Sequence, residues 1–262
     1  MMLTDELQKK LAKRIDGKLL EKDREKKSEK DGFSKNKTID EVFDKSTTMI
    51  VSGLRNSGIV SYVNGAVGSG KESKTYWAVG PAGNDLALKI YLVATSNFKK
   101  RHPYLLGDPR FTKIRKGTRN LVELWAQKEY AHLNQCYDAG MPCVKPITVI
   151  KNVLVMDFVG KNGVPEPMLV ETEVDYKDYE SAISVIDDLY NKAKMVHADF
   201  SEYNIFKTKK GLVVFDFGSS VDVRHPNAME FLERDIRNIT KFFVKRGLTV
   251  TNPADVKKRI MK

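Results

Sequence analysis

The sequence predicts an α+β fold in two lobes, an antiparallel-sheet N-lobe followed by a reduced helical C-lobe. Three observations carry this. Strand-like runs between Ile59 and Val93, and again between Val144 and Phe158, are separated by short turns, as hairpins are. Helical patterns over 121–137, 179–194 and from Pro226 supply the other layer. Between them lies Met195-Val196-His197-Ala198-Asp199-Phe200-Ser201-Glu202-Tyr203-Asn204-Ile205, a loop between apolar segments, followed by the apolar strand Gly211–Asp216.

The chain has 262 residues, 41% hydrophobic and 30% charged, enough to bury a sizeable core under a highly charged surface. No apolar run approaches the length of a membrane helix, so no membrane contact is expected. The first twenty residues are too charged for a secretory signal. Cys136 and Cys143 form no metal pattern, and two cysteines are too few for a disulfide scaffold, which fits a reducing, cytoplasmic location. The net charge of +11 suggests an anionic partner, RNA or a ribonucleoprotein first; the alternative is a basic proteome or a solubility effect.

Residues 1–57 read as a charged helical extension. Leu3, Leu7, Leu11, Ile15 and Leu19 form a narrow apolar stripe, and the run Glu21–Lys30 is almost wholly charged. Thr38-Ile39-Asp40-Glu41 reads as a capped helix start, and Thr47–Leu54 as a short helix ending near Gly58. A strand over 59–63 then runs into a loop over 64–72, and Ser73–Val79 is the next strand. Gly65–Lys71 approaches a Walker A loop but ends on Glu72 and leads into a strand, which excludes a P-loop NTPase. It is either an ordinary hairpin turn or a phosphate lid built on Ser69, Gly70, Lys71 and Glu72.

Leu86–Val93 is a strand that sends Leu88, Ile90 and Leu92 to one face and Ala87, Lys89 and Tyr91 to the other. Thr95–Arg119 has no clean period. It carries eight Lys and Arg against Asp108, and reads as a basic loop suited to RNA or a phosphoprotein. Tyr104 and Phe111 either stack on bases or anchor the loop to the body. Asn120 caps a helix over 121–137 that stops at Gly140. Glu129 falls on its apolar face beside Val122, Trp125, Ala126, Leu133 and Cys136. A buried carboxylate needs a partner, and Lys89 is the obvious one. Val144–Ile150 and Val153–Phe158 form a hairpin. Met156, Asp157 and Val159 then open a hinge, 157–167, whose backbone at Asp157 and Val159 suits the edge of an adenine. The helix from Pro226 reads as core without chemistry.

The chemistry concentrates in two pieces. His197-Ala198-Asp199 with Asn204 matches H-R-D-L-x-x-x-N, and Asp216-Phe217-Gly218 matches D-F-G, the signature of phosphoryl transfer. A lone D-x-x-x-x-N would be only a turn; the His, the strand and the second Asp make it a constellation. Leu86-Ala87-Leu88-Lys89 is a version of V-A-I-K. No A-P-E follows Asp216, so the small bilobal protein-kinase-like fold expected here lacks an activation segment.

These residues resemble the RIO family of atypical serine/threonine protein kinases, in the subfamily without a winged-helix domain. The carrying motifs are Ser69-Gly70-Lys71-Glu72, Phe98-Lys99-Lys100-Arg101 with Tyr104, Gly107-Asp108 and Arg110-Phe111, and Trp125-Ala126-Gln127-Lys128-Glu129. His197–Asn204, and His225-Pro226 with Phe231-Leu232-Glu233-Arg234-Asp235, complete them. The triplet Asp216-Phe217-Gly218 departs from the family, which often differs after the Asp. The resemblance implies a RIO-type kinase domain over 58–262, divided as an N-lobe over 58–157, the hinge over 157–167 and a C-lobe over 168–262. It implies ATP with Mg²⁺ or Mn²⁺, and a role in small ribosomal subunit maturation. It makes Asp199 the catalytic base, Asn204 and Asp216 the metal ligands, and Lys89 the phosphate clamp. Asp216 is also a candidate phosphate acceptor. The expected partners are ATP, the pre-ribosomal small subunit or rRNA through 98–119, and the protein's own loop as an autophosphorylation substrate. Two other functions compete: a small-molecule kinase of the aminoglycoside or choline type, for whose larger C-lobe few residues remain after Asp216, and an inactive ribosome-docking pseudokinase.

Overall fold

The computed structural model describes residues 6, 8–16, 44–93, 104 and 117–262. The expected helix start at Thr38 and all of the basic loop except Tyr104 and its last residues lie outside these. The first described strands are β1 (Tyr62–Ser69), β2 (Ser73–Val79) and β3 (Asp85–Tyr91), preceded by helix α1 (Lys45–Asn56). With β4 (Pro146–Ile150) and β5 (Val153–Asp157) they form one antiparallel sheet in the order β1-β2-β3-β5-β4. The predicted α+β class holds.

Strand β3 shows why this sheet has two covered faces. Its even residues Leu86, Leu88 and Ile90 pack in one cluster with Ile50 and Leu54 of α1, and with Ile15 of the helical residues 8–16. Its odd residues Ala87 and Tyr91 join a second cluster with Trp125, Leu154 and Met156. Alternation in a strand buried on both faces sends successive side chains to different cores. The apolar stripe at the N-terminus therefore has a use: Leu11 and Ile15 lean on α1 at Gly53.

Three local expectations are corrected. The stretch read as a loop over 64–72 is strand as far as Ser69, and only the tip around Gly70 turns, with Gly70 N–H donating to Ser73 O at 2.9 Å. Register shifts between Val63 and Ala66, and between Ala66 and Gly68, let this exposed edge strand keep pairing despite its glycines. The helix α2 (Thr118–Asp138) starts earlier than expected, so Asn120 lies inside it and Gly117, with φ 117°, precedes it. The hinge is not plain coil. It carries a two-stranded ribbon, β6 (Gly160–Lys161) and β7 (Val164–Pro165), tied to the sheet by Asp85, which accepts from Trp77 Nε1 at 2.7 Å and from Asn162 N at 2.8 Å.

Below the hinge come α3 (Tyr176–Asn191), β8 (Met195–Val196), the hairpin β9 (Ile205–Thr208) and β10 (Gly211–Val214), and β11 (Val221–Asp222), which pairs with β8. Asp175 caps α3 by accepting from Lys177 N and Asp178 N, which moves its start ahead of Tyr179. Then come α4 (Ala228–Lys245) and α5 (Pro253–Ile260). The sequence reading missed α5, although Asn252 caps it and Pro253 stands at its first position. From Asp216 to α4 the chain makes one 3₁₀ turn, Phe217–Ser219, and β11, so no activation segment intervenes.

Candidate active site

Lys89 sits in the middle of β3, opposite Thr75 on β2 and Leu154 on β5, and is 7% exposed. Its ammonium has nowhere to go but across the site. Nζ donates to Glu129 Oε1 at 2.8 Å, to Glu129 Oε2 at 2.9 Å and to Asp216 Oδ1 at 2.9 Å. Burial alone would lower the lysine pKa, but the two carboxylates outweigh it and hold Lys89 above its ordinary value, so it stays charged. Burial pushes Glu129 up to about 7, against the pull of Lys89 and of the Phe217 N–H. Sequence reasoning expected the Lys89–Glu129 contact; the structure adds Asp216 to it.

The loop over 197–204 is built on strained, well-braced backbone. His197 is buried, its ring 4.8 Å from that of Phe217 and 5.7 Å from that of Phe200. Burial lowers its pKa to about 4, so the neutral ring donates Nε2–H to Phe215 O at 3.2 Å. Ala198 has φ 63°, a conformation unfavourable for a residue with a Cβ. Both of its backbone groups are gripped by neighbours on α4. Asp235 accepts from Ala198 N at 2.7 Å and from Phe200 N at 3.0 Å, and Arg234 donates to Ala198 O. Asp199 is left exposed at the loop's tip. Asn204 donates to Asp199 O at 2.8 Å and lies 3.4 Å from Asp199 Oδ2, while its own carbonyl accepts from Phe215 N at 3.0 Å. That last bond ties Asn204 to the chain just before Asp216.

Asp216 is itself in the left-handed region, φ 61° and ψ 63°. Its side chain is 40% exposed, with Oδ1 held 2.9 Å from Lys89 Nζ. The Asn204 amide nitrogen is spent on Asp199, which leaves Oδ1 to meet a cation. A carboxylate and an amide oxygen are hard donors, and few. That fits Mg²⁺, which keeps several waters and completes its shell with substrate phosphates rather than with a full protein cage. No cluster of three or more His, Cys, Asp or Glu able to hold a metal exists among the described residues.

The remaining predicted residues lie at the hinge and at the tip of the β1–β2 hairpin. Met156 is buried opposite Ala87. The Asp157 N–H is committed to Lys145 O at 2.9 Å, that of Phe158 reaches Asp85 O at 3.4 Å, and the Val159 carbonyl accepts from Glu166 N at 3.0 Å. Ser69, Gly70, Lys71 and Glu72 form the tip of the β1–β2 hairpin, which is held by backbone bonds: Leu92 N–H donates to Glu72 O at 2.8 Å. Tyr104 stacks on Phe231 with ring centroids 5.2 Å apart, so of its two expected uses the anchoring one is seen.

Sequence reasoning did not single out His132, and gave no role of their own to Lys128, Arg234 and Asp235, which it met only within the motifs of the resemblance. It read α4 as core alone, and the structure corrects that. The signal was present in the helical period. Lys128 and His132 follow Trp125 by three and seven positions, and Asp235 follows Phe231 by four, so each falls within an apolar stripe. No helix among the described residues is long and apolar enough to cross a membrane.

A family model described as the RIO domain matches residues 74–256. The chain is 36% identical over 234 residues to serine/threonine-protein kinase RIO1 of Caenorhabditis elegans, covering 87% of this chain but 46% of that protein. It is 38% identical over 209 residues to the RIO-type serine/threonine-protein kinase Rio1 of Haloferax volcanii, covering 79% of this chain and 71% of the relative. Among solved structures, a Rio2 kinase from Chaetomium thermophilum superposes with a TM-score of 0.62 at 25% identity, over 82% of this chain and 69% of that one. The ADP/Mg²⁺-phosphoaspartate complex of that kinase gives the same TM-score at 23% identity, over 80% and 65% of the two chains.

Proposed function

This chain belongs to the RIO-domain family, and on that premise we propose that it is a serine/threonine kinase or ATPase that takes the γ-phosphoryl group from ATP. One observation carries the reading: the buried Lys89 ammonium shared by Glu129 and Asp216, with Asn204 braced on Asp199 beside it. A pseudokinase would have no need to keep so costly a buried ion pair with an exposed acid next to it. In this reading Lys89 binds the α/β-phosphates and Glu129 holds it there. Asn204 and Asp216 hold Mg²⁺, which when bound neutralises charge developing on the phosphates. Asp199 accepts the proton of the attacking hydroxyl. The Val159 N–H and the carbonyl of Asp157 meet the adenine edge, and the hairpin tip Ser69–Glu72 covers the phosphates.

The substrate follows from what the C-lobe lacks. Without an activation segment there is no platform for an extended peptide, which favours a folded partner, the protein's own loop, or an ATPase cycle acting as a switch. The net charge of +11 and the basic stretch 98–119 favour rRNA or a pre-ribosomal small subunit as that partner. In the switch form an oxygen of Asp216 attacks the γ-phosphorus, the bond to the β-phosphate bridging oxygen breaks, and ADP leaves. The Rio2 kinase of Chaetomium thermophilum has been seen as an ADP/Mg²⁺-phosphoaspartate complex, and the 40% exposure of Asp216 supports the same chemistry here. The test is the chemistry of the label left on protein by γ-labelled ATP. Hydroxylamine-labile label in the isolated chain supports the switch. Acid-stable phosphoserine on a short unstructured peptide, at ordinary kinase rates of roughly 1–100 s⁻¹, contradicts it.

A further inference from the structure

Lys128 is the least expected side chain in the molecule. It is charged, belongs to a helix that has solvent on one side, and yet has no exposed surface. Burying an ammonium costs several kcal/mol unless its donors are satisfied. Here Nζ donates to Gly218 O at 2.9 Å and to Ser220 O at 2.5 Å, and lies 5.0 Å from the centroid of the Trp125 ring. Both carbonyls belong to the turn that follows Asp216. The same turn faces α2 twice more: the Phe217 N–H holds the Glu129 pKa down against burial, and His132 Nδ1 lies 3.2 Å from Phe217 O. Gly218 is pressed so close that a Cβ there would stand 2.7 Å from Trp125 Nε1. One face of α2 thus engages the backbone of Phe217, Gly218 and Ser220, directly after a residue whose left-handed conformation needs external support.

We propose that Lys128 is a positioning residue that fixes the 217–220 turn and so aims Asp216 at the divalent cation, making α2 and the cation site one mechanical unit. This rests on Asp216 being a cation ligand, as in the function proposed above. An apolar residue would pack against Trp125 as well, at lower cost. The ammonium adds a directional hold on two carbonyls, which no apolar side chain provides. The hold also acts in reverse, so cation binding at Asp216 is felt along α2.

Two measurements without catalytic turnover test this. The first is Mn²⁺ affinity in the presence of ADP, followed by electron paramagnetic resonance, in the full chain and in Lys128→Met, with adenosine affinity as the control. The expected result is Mn²⁺ affinity weakened about tenfold with adenosine affinity unchanged, because a general loosening of the fold would weaken both. Equal Mn²⁺ affinity, or a parallel loss of both, overturns the proposal. The second uses the unaltered protein and therefore stands even if the variant does not fold. Hydrogen exchange with Mg²⁺ and ADP, compared with ADP alone, should slow at 217–220 and at 125–132 together. Protection confined to 217–220 overturns the coupling. A wild-type chain that binds no Mn²⁺ with ADP sinks the functional reading and this proposal together, whereas normal wild-type binding with an unaffected variant sinks only the role of Lys128.

Discussion

Asp235, 1% exposed in the middle of α4, accepts hydrogen bonds from two backbone N–H groups 37 and 35 residues before it in sequence, that of Ala198 at 2.7 Å and that of Phe200 at 3.0 Å. Ala198 has φ 63°, and a strained residue persists only where its surroundings hold it. Asp235 and Arg234 do so from both sides, and Asp199 follows directly. Asp235→Ala leaves two buried N–H groups without an acceptor, which costs about 2–4 kcal/mol. Urea unfolding should read that loss, and ATP turnover should fall further than the folded fraction does. Turnover that merely follows the folded fraction would show that the brace does not position Asp199.

The Lys89–Glu129 pair gives a second prediction. Lys89→Met strands a buried carboxylate, which costs about 3–5 kcal/mol, whereas replacing both partners with apolar residues is close to neutral. Glu129→Leu combined with Lys89→Met should therefore be more stable than Lys89→Met alone. A double-mutant cycle by urea unfolding measures this, and additive losses would mean that the two groups do not pair in solution. Both variants should lose phosphoryl transfer, so stability and activity separate in the double substitution.

His197 carries the pH dependence. Its folded pKa is lowered to about 4 by burial, against 6.5 for a free imidazole. A lowered pKa means that the unfolded chain binds the proton more readily. The contribution of His197 to stability is thus complete above about pH 6.5 and is lost as pH falls towards 4, by up to about 3 kcal/mol. Ring-proton NMR should find His197 neutral at pH 5.5. A midpoint near 6.5 would contradict the buried donor to Phe215 O.

Neutralising Lys99, Lys100 and Arg101 together tests the basic stretch. If these residues meet phosphates, RNA affinity should fall and its logarithmic salt slope should flatten by about 2–3. ATP binding should persist. An unchanged slope assigns their charge to another use.

How much of this was legible beforehand follows from which interactions leave a local trace. The alternation of Leu86 to Tyr91 gave both faces of β3, and the position of Glu129 in an apolar stripe pointed to Lys89. Asp199, Asn204 and Asp216 stood out by spacing. What escaped were contacts between side chains and distant backbone. Nothing near Lys128 names Gly218 and Ser220 as its acceptors, and nothing near Asp235 names Ala198, because a backbone acceptor can be supplied by any residue type. The β1 strand was cut short because its glycines read as a loop, while pairing to β2 with irregular register overrides that local preference. The hinge ribbon depends on Asp85, from another strand, and was invisible for the same reason.

In the proposed transfer to a hydroxyl, Asp199 takes the proton while other residues meet the cation and the nucleotide. Single-turnover transfer from γ-labelled ATP, measured beside ATP affinity in wild-type protein and Asp199→Ala, tests it most directly. Transfer should slow on the order of 10² or more with ATP affinity unchanged. Transfer to protein at the parental rate in Asp199→Ala would contradict it.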